Sequence, residues 1–237
     1  MKRRLIVLMG LDGSGKSTQA QLLANWFREQ GVPTNVVWMR GESYVTRPLL
    51  RLAKTLLRAP RSTKRGGAIG EGGLKTGDPV AKDAYARYVT SKRSLFRSSL
   101  VRAVWRSLVL LDFYITFKVA FARLARSTQV VILDRYVYDT LIDIDSGFGS
   151  GGAEVKRLLA SPLLKFFPQP DKIVLLEIDP AAAMRRKDDI PSREYLEERY
   201  GLYRAVARET GASVVDGTQS IDETRSALIA EVKRSLA

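Results

Sequence analysis

The sequence predicts an α/β domain, a parallel sheet layered between helices. Three observations lead there. Short apolar runs alternate along the chain with longer stretches of helical period. The runs are continuously apolar, as strands buried on both faces are. The first run, Leu5 to Met9, opens directly into a glycine-rich loop and then a helix.

That helix is expected over Ser17 to Gln30, with Ala20, Leu23, Ala24 and Phe27 on its inner face and Gly31 as its stop. Val36 to Met39 reads as the second strand and Pro48 to Arg58 as a helix. Pro60 to Pro79 holds six glycines and four basic residues and reads as a mobile loop. Helical patterns follow over Val80 to Arg126. Val130 to Leu133 reads as a strand ending in Asp134, Ile173 to Ile178 as a fourth and Ala212 to Val215 as a fifth. Helices are expected over Glu154 to Phe166, Ala181 to Lys187, Ser192 to Thr210 and Ile221 to Leu236.

The 237 residues suit one domain over 1–237, with a flexible insert near 60–79 and a short lid near 185–193. The chain is 45% hydrophobic, enough for a sizeable core. Its formal net charge of +14 fits an anionic partner such as a nucleotide, a nucleic acid or an acidic membrane; the bland reading is a basic solvated surface. There is no Cys and no His, so disulfides, thiolate chemistry and imidazole bases are excluded. Catalysis would rest on carboxylates, Lys, Arg and backbone amides. The apolar start is too short for a signal peptide. Leu108 to Leu124 is interrupted by Asp112, Lys118 and Arg123, which favours a buried helix over a membrane span and a cytoplasmic protein.

Gly10-Leu11-Asp12-Gly13-Ser14-Gly15-Lys16-Ser17-Thr18 matches the phosphate-binding loop pattern G-x-x-x-x-G-K-[ST] at every position, between a strand and a helix. Glycines let the backbone wrap phosphate oxygens, and the helix N-terminus adds partial positive charge. Lys16 would neutralise β/γ-phosphate charge and Ser17 would ligate Mg²⁺. Asp134, at the end of an apolar strand, stands where such a protein places a second metal-side group. Arg185, Arg186, Lys187 and Arg193 form a basic cluster that either closes over a nucleotide or caps a solvated helix end.

The loop, Leu133-Asp134-Arg135-Tyr136 and Ile178-Asp179-Pro180 followed by Arg186 resemble thymidylate kinase, in the same order over nearly the whole chain. The resemblance implies a nucleoside-monophosphate-kinase fold, a P-loop three-layer sandwich with a five-stranded parallel sheet and a lid. It implies transfer of the γ-phosphoryl group of ATP to dTMP with Mg²⁺. It places Asp12 toward the acceptor sugar or metal, and Arg135 on the acceptor phosphate with Tyr136 beside it. Arg40 would lie on the acceptor side, Arg186 on the adenine, Arg193 in the lid, and Gly217 and Thr218 near the adenine edge. Gly13 leaves the loop without an arginine, so the catalytic cation would come from the lid, Arg186 or Arg193. The chain departs from the family at Met39-Arg40-Gly41-Glu42-Ser43, where Arg-Glu-Pro-Gly is expected, and at Val137 to Asp143, which replaces a serine-rich segment.

Alternatives stay open: a P-loop kinase of another small acceptor, nucleotide or nucleoside, or an ATP-switched polyanion binder. No Asn-Lys-x-Asp stretch supports a GTPase, and no aromatic-studded basic motif supports a specific nucleic-acid partner. The assembly is left between monomer and homodimer.

Overall fold

The computed structural model describes residues 3–39, 46, 96–187, 190 and 192–236. Arg40, the helix expected over 48–58, the glycine-rich stretch 60–79 and the helical pattern up to residue 95 lie outside the described residues.

Five strands form one parallel sheet: β1 (Arg4–Met9), β2 (Thr34–Trp38), β3 (Val130–Asp134), β4 (Lys172–Glu177) and β5 (Ser213–Asp216), in spatial order β2-β3-β1-β4-β5. Seven described α-helices accompany them: α1 (Lys16–Glu29), α2 (Ser99–Ala122), α3 (Val137–Phe148), α4 (Ala153–Leu159), α5 (Pro180–Arg186), α6 (Arg193–Thr210) and α7 (Ile221–Leu236). This is an α/β P-loop kinase-like fold.

Alternation along the strands divides the core in two. Ile6, Leu8, Ile132, Val174, Leu176 and Val215 face α1 and α7, meeting Leu23, Phe27, Leu228 and Val232. Leu5, Val7, Val131, Leu133 and Leu175 face the other way, against Phe113 and Phe117 of α2, Leu141 of α3 and Leu202 of α6. Both faces are covered, so the continuously apolar runs of β1, β3 and β4 follow.

Register decides where chemistry can gather. Leu8 and Trp38 both pair with Asp134, and Glu177 pairs with Asp216, so the strands end together at one edge of the sheet. Ligands of open α/β sheets collect at that carboxyl edge.

Two elements differ from the sequence expectation. A helix over 137–148 was not expected after Tyr136. Its first turn is fixed by Asp139, whose Oδ2 accepts from the Tyr136 amide at 3.0 Å. The helix expected over 154–166 breaks at Ser161-Pro162. Ser161 caps a 3-10 turn, Pro162–Phe166, and proline cannot continue the preceding helix. The start of α4 is set from a distance. The fully buried Asp145 carboxylate accepts from the amides of Gly152, Glu154 and Val155 at 2.8, 2.9 and 3.0 Å.

Candidate phosphate-binding and acceptor site

The glycine-rich loop leaves β1 at Met9 and enters α1 at Lys16. Gly13 has φ 87° and lies against α5, where an added Cβ would stand 2.8 Å from the Ala183 carbonyl oxygen. A side chain at this position is excluded by backbone, which explains a loop without an arginine there.

Lys16 is buried. Its Nζ donates to the carbonyls of Gly10 and Leu11 at 2.8 and 2.6 Å and to Ser14 Oγ at 3.3 Å. Burial, reinforced by the Arg135 charge, lowers its pKa to about 8, with Asp12, Asp139 and Asp134 opposing. Ser17 Oγ donates to Asp134 Oδ2. Asp134 Oδ1 is buried and accepts no hydrogen bond from any described residue.

Arg135 follows β3 directly and is the one non-glycine residue with positive φ, 77°, among the described residues. Its Nη2 donates to Asp12 Oδ1 and its Nη1 to Asp139 Oδ1 at 3.2 Å. Burial works against the guanidinium charge, but Tyr203, Asp139 and Asp12 more than offset it and raise its pKa. Asp139 in turn accepts from the Tyr203 hydroxyl at 2.6 Å. Burial pushes the Asp139 carboxyl up, against the opposing Arg135 charge.

Lys16, Ser17, Asp134, Arg135 and Asp12 line one cleft of about 640 Å³, with Asp139 and Tyr203 behind Arg135. It brings together Asp12, Gly13, Gly15, Lys16, Ser17, Thr18, Asp134 and Arg135 from the sequence expectations. It adds Gln21 of α1, Val36 and Trp38 of β2, and Lys187 just past α5. Gly10, Leu11 and Ser14 belong to the same loop, behind the lysine.

Other expected residues stand elsewhere. Tyr136 is buried in the core; its hydroxyl donates to the Pro168 carbonyl at 2.7 Å and its ring meets Phe113, Phe117 and Tyr138. The left-handed backbone at Arg135 turns the chain out of β3 and into α3, and Tyr136, the N-cap of that helix, falls on the core side. Arg193 is exposed at the first residue of α6 and pairs with Glu197 at 2.7 Å. Arg186 donates from Nη1 to the Gly217 carbonyl at 2.7 Å and from Nη2 to the Thr218 carbonyl at 3.1 Å. That ties α5 to the 216–218 turn, whose Gly217 passes close to the backbone of Ser14 in the loop. Arg40 lies outside the described residues.

Sequence reading missed Lys187 as a cleft residue, although it stands in the basic cluster. It also missed Asp139 and Tyr203. The spacing Arg135–Asp139 is that of a helical ion pair and could have been read had α3 been expected; Tyr203 carries no local signal.

No family model matches the chain. Curated proteins do. A probable thymidylate kinase of Pyrococcus abyssi is 25% identical, covering 100% of this chain and 98% of its own length. A probable thymidylate kinase of Thermococcus onnurineus is 23% identical over 98% of each chain. The thymidylate kinase of Fervidobacterium nodosum is 25% identical over 93% of each. The phosphate loop, the parallel sheet and a similarity running from end to end at low identity together liken the chain to the thymidylate kinases, as a divergent relative.

Proposed function

We propose that this chain transfers the γ-phosphoryl group of ATP to a nucleoside monophosphate, dTMP foremost, in a Mg²⁺-dependent reaction. The observation that carries this reading is the presence of Lys16 and Arg135 on one cleft, with the Ser17–Asp134 pair on the same walls. One cation suits the donor phosphates and the other suits the acceptor phosphate. The named activity of the relatives, thymidylate kinase, supports the choice of acceptor.

The donors fit a small, hard cation. The Ser17 hydroxyl and an Asp134 carboxylate with one buried oxygen that accepts from no described residue are oxygen ligands of the kind Mg²⁺ takes through one carboxylate and substrate phosphates. Bound there with ATP, Mg²⁺ would supply charge neutralisation at the phosphate oxygens.

The chain's own groups do the rest. Loop amides and the N-terminus of α1 hold the donor phosphates. Lys16 exchanges the Gly10 and Leu11 carbonyls for phosphate oxygen. Arg135 exchanges Asp12 for the acceptor phosphate, and two parallel N–H bonds orient it. Lys187, on the cleft wall, is better placed than Arg193 to meet charge on the transferring group.

A monophosphate also suits a chain without histidine. Its second ionisation lies near pKa ~6, so the attacking oxygen is already anionic at neutral pH and needs no base. A nucleoside hydroxyl would need one, and Asp12 is engaged with Arg135. A coupled ADP-release assay across the nucleoside monophosphates, with thymidine beside them, tests the reading. The expected result is turnover with monophosphates, fastest with dTMP. Thymidine phosphorylated as fast as dTMP would move the assignment to a kinase of another small acceptor.

A further inference from the structure

Asp139 divides its two oxygens between two tasks. Oδ2 accepts from the Tyr136 amide and starts α3. Oδ1 takes no part in the cap; it accepts from Arg135 Nη1 at 3.2 Å and from the Tyr203 hydroxyl at 2.6 Å. Tyr203 comes from α6, 64 residues away, and is buried with Asp139. A helix cap alone needs neither Arg135 nor Tyr203.

The same two helices are tied again farther along. Arg199 of α6 donates to Asp143 of α3 at 2.6 Å and to Ser146 at 3.0 Å. Its guanidinium lies 4.0 Å from the centre of the Tyr195 ring. Positions 139, 143 and 146 fall on one face of α3, and 195, 199 and 203 on one face of α6. The second tie fixes the distance between the helices, and with it the place of the Tyr203 hydroxyl.

Arg135 needs such a brace. Its backbone is in the left-handed region, and its other partner, Asp12, belongs to the phosphate loop. If an acceptor phosphate takes the place of Asp12, Asp139 stays on Arg135 Nη1.

We propose that Asp139 and Tyr203 are positioning residues for the acceptor: braced by the Tyr203 hydroxyl, Asp139 holds Arg135 by Nη1 and leaves Nη2 to pass from Asp12 to the acceptor's phosphate. This rests on the reading of Arg135 as the acceptor-phosphate residue. The pair contributes direction and no chemistry of its own.

The test is a set of variants of the full chain: Tyr203→Phe, Asp139→Asn, Arg135→Lys, and Asp139→Asn combined with Arg135→Lys. Acceptor KM, ATP KM, kcat and Tm are measured for each. Asn keeps an acceptor for the Tyr136 amide, and Phe keeps the ring and changes no charge. Asp139→Asn is expected to raise the acceptor KM about tenfold and Tyr203→Phe about threefold, with ATP KM within about twofold. In the Arg135→Lys background the Asp139→Asn effect on acceptor KM should vanish, because the group it positions is gone.

Lower Tm with unchanged acceptor KM would reduce Asp139 and Tyr203 to structural roles and overturn the proposal. A lower acceptor KM in Asp139→Asn would also overturn it, since Asp139 would then act only as a repelling charge. If Asp139→Asn fails to fold, Tyr203→Phe decides alone on the same criterion. A raised acceptor KM in Arg135→Lys with both brace variants silent would sink the brace and leave the acceptor reading standing. A silent Arg135→Lys would instead remove the acceptor reading itself.

Discussion

Lys16 Nζ lies 2.6 Å from the carbonyl oxygen of Leu11, folded back into the loop whose phosphates it is expected to meet. There burial and the Arg135 charge bring its pKa to about 8. A bound triphosphate adds negative charge and raises it again, so the bound form holds this proton more tightly than the free form. Raising pH through 8 must then weaken ATP binding. We expect affinity at pH 9 to be about tenfold below that at pH 7, with proton uptake on binding visible by calorimetry in buffers of different ionisation enthalpy. Lys16→Ala should bind more weakly and lose the pH dependence. Wild-type affinity that stays flat from pH 7 to 9.5 would contradict a depressed Lys16.

Asp134→Asn keeps an acceptor for Ser17 but places a neutral amide where a cation would be held. Much of nucleotide binding comes from loop amides, while the carboxylate matters most as charge shifts during transfer. Turnover should fall about 10²-fold and metal-free ADP affinity should change by less than about threefold. The check is kcat beside a fluorescence binding titration. Lost affinity with normal turnover per bound nucleotide would remove Asp134 from the metal site.

What the sequence made legible follows from locality. The phosphate loop is contiguous, so residues 10–18 carry their own geometry. Asp134 was readable across 117 residues because a strand end announces itself by its apolar run. The pairing of Arg135 with Asp12, 123 residues apart, was not, since nothing local says which loop a guanidinium will reach. Helix α3 was hidden because Tyr136 and Val137 look like strand continuing from β3, while its start depends on Asp139 folding back. Ser161-Pro162 did carry a stop signal, overridden by the apolar period on either side. Tyr136 is drawn into the site by adjacency to Arg135, whereas the chain turns at the left-handed Arg135 and sends Tyr136 to the core.

Gly13 has φ 87° and an added Cβ would meet the backbone oxygen of Ala183 at 2.8 Å. Gly13→Ala must therefore displace either the loop or α5. The strain and overpacking together should cost about 1–3 kcal/mol. Thermal melts should show a lower Tm, and the rise of Tm on adding ATP should shrink as well, because the distorted loop is the binding element. An unchanged Tm together with an unchanged ATP-induced shift would contradict close packing of the loop on α5.

Arg186 offers a choice between two roles that kinetics can separate. Its guanidinium spans the Gly217 and Thr218 carbonyls at 2.7 and 3.1 Å, and the same turn is braced by Thr218 donating its amide to Asp216 at 2.8 Å. Gly217 lies against the Ser14 backbone, so the turn packs on the phosphate loop. In this arrangement the Arg186 guanidinium is engaged with carbonyls, and a role on the donor side would act through the turn that packs on the phosphate loop. Lys keeps the charge but cannot span both carbonyls, because an ammonium is a point donor where a guanidinium is a planar fork. Arg186→Lys should raise the ATP KM about fivefold while kcat stays within about twofold and the acceptor KM is unmoved. If Arg186 instead swings onto the transferring group, the substitution removes charge-directed hydrogen bonds made only in the transition state. Then kcat should fall about 10²–10³-fold with the ATP KM little changed. Initial rates over a matrix of ATP and dTMP concentrations distinguish the two, and the second pattern would return Arg186 to the catalytic role that its place after Ile178-Asp179-Pro180 suggests.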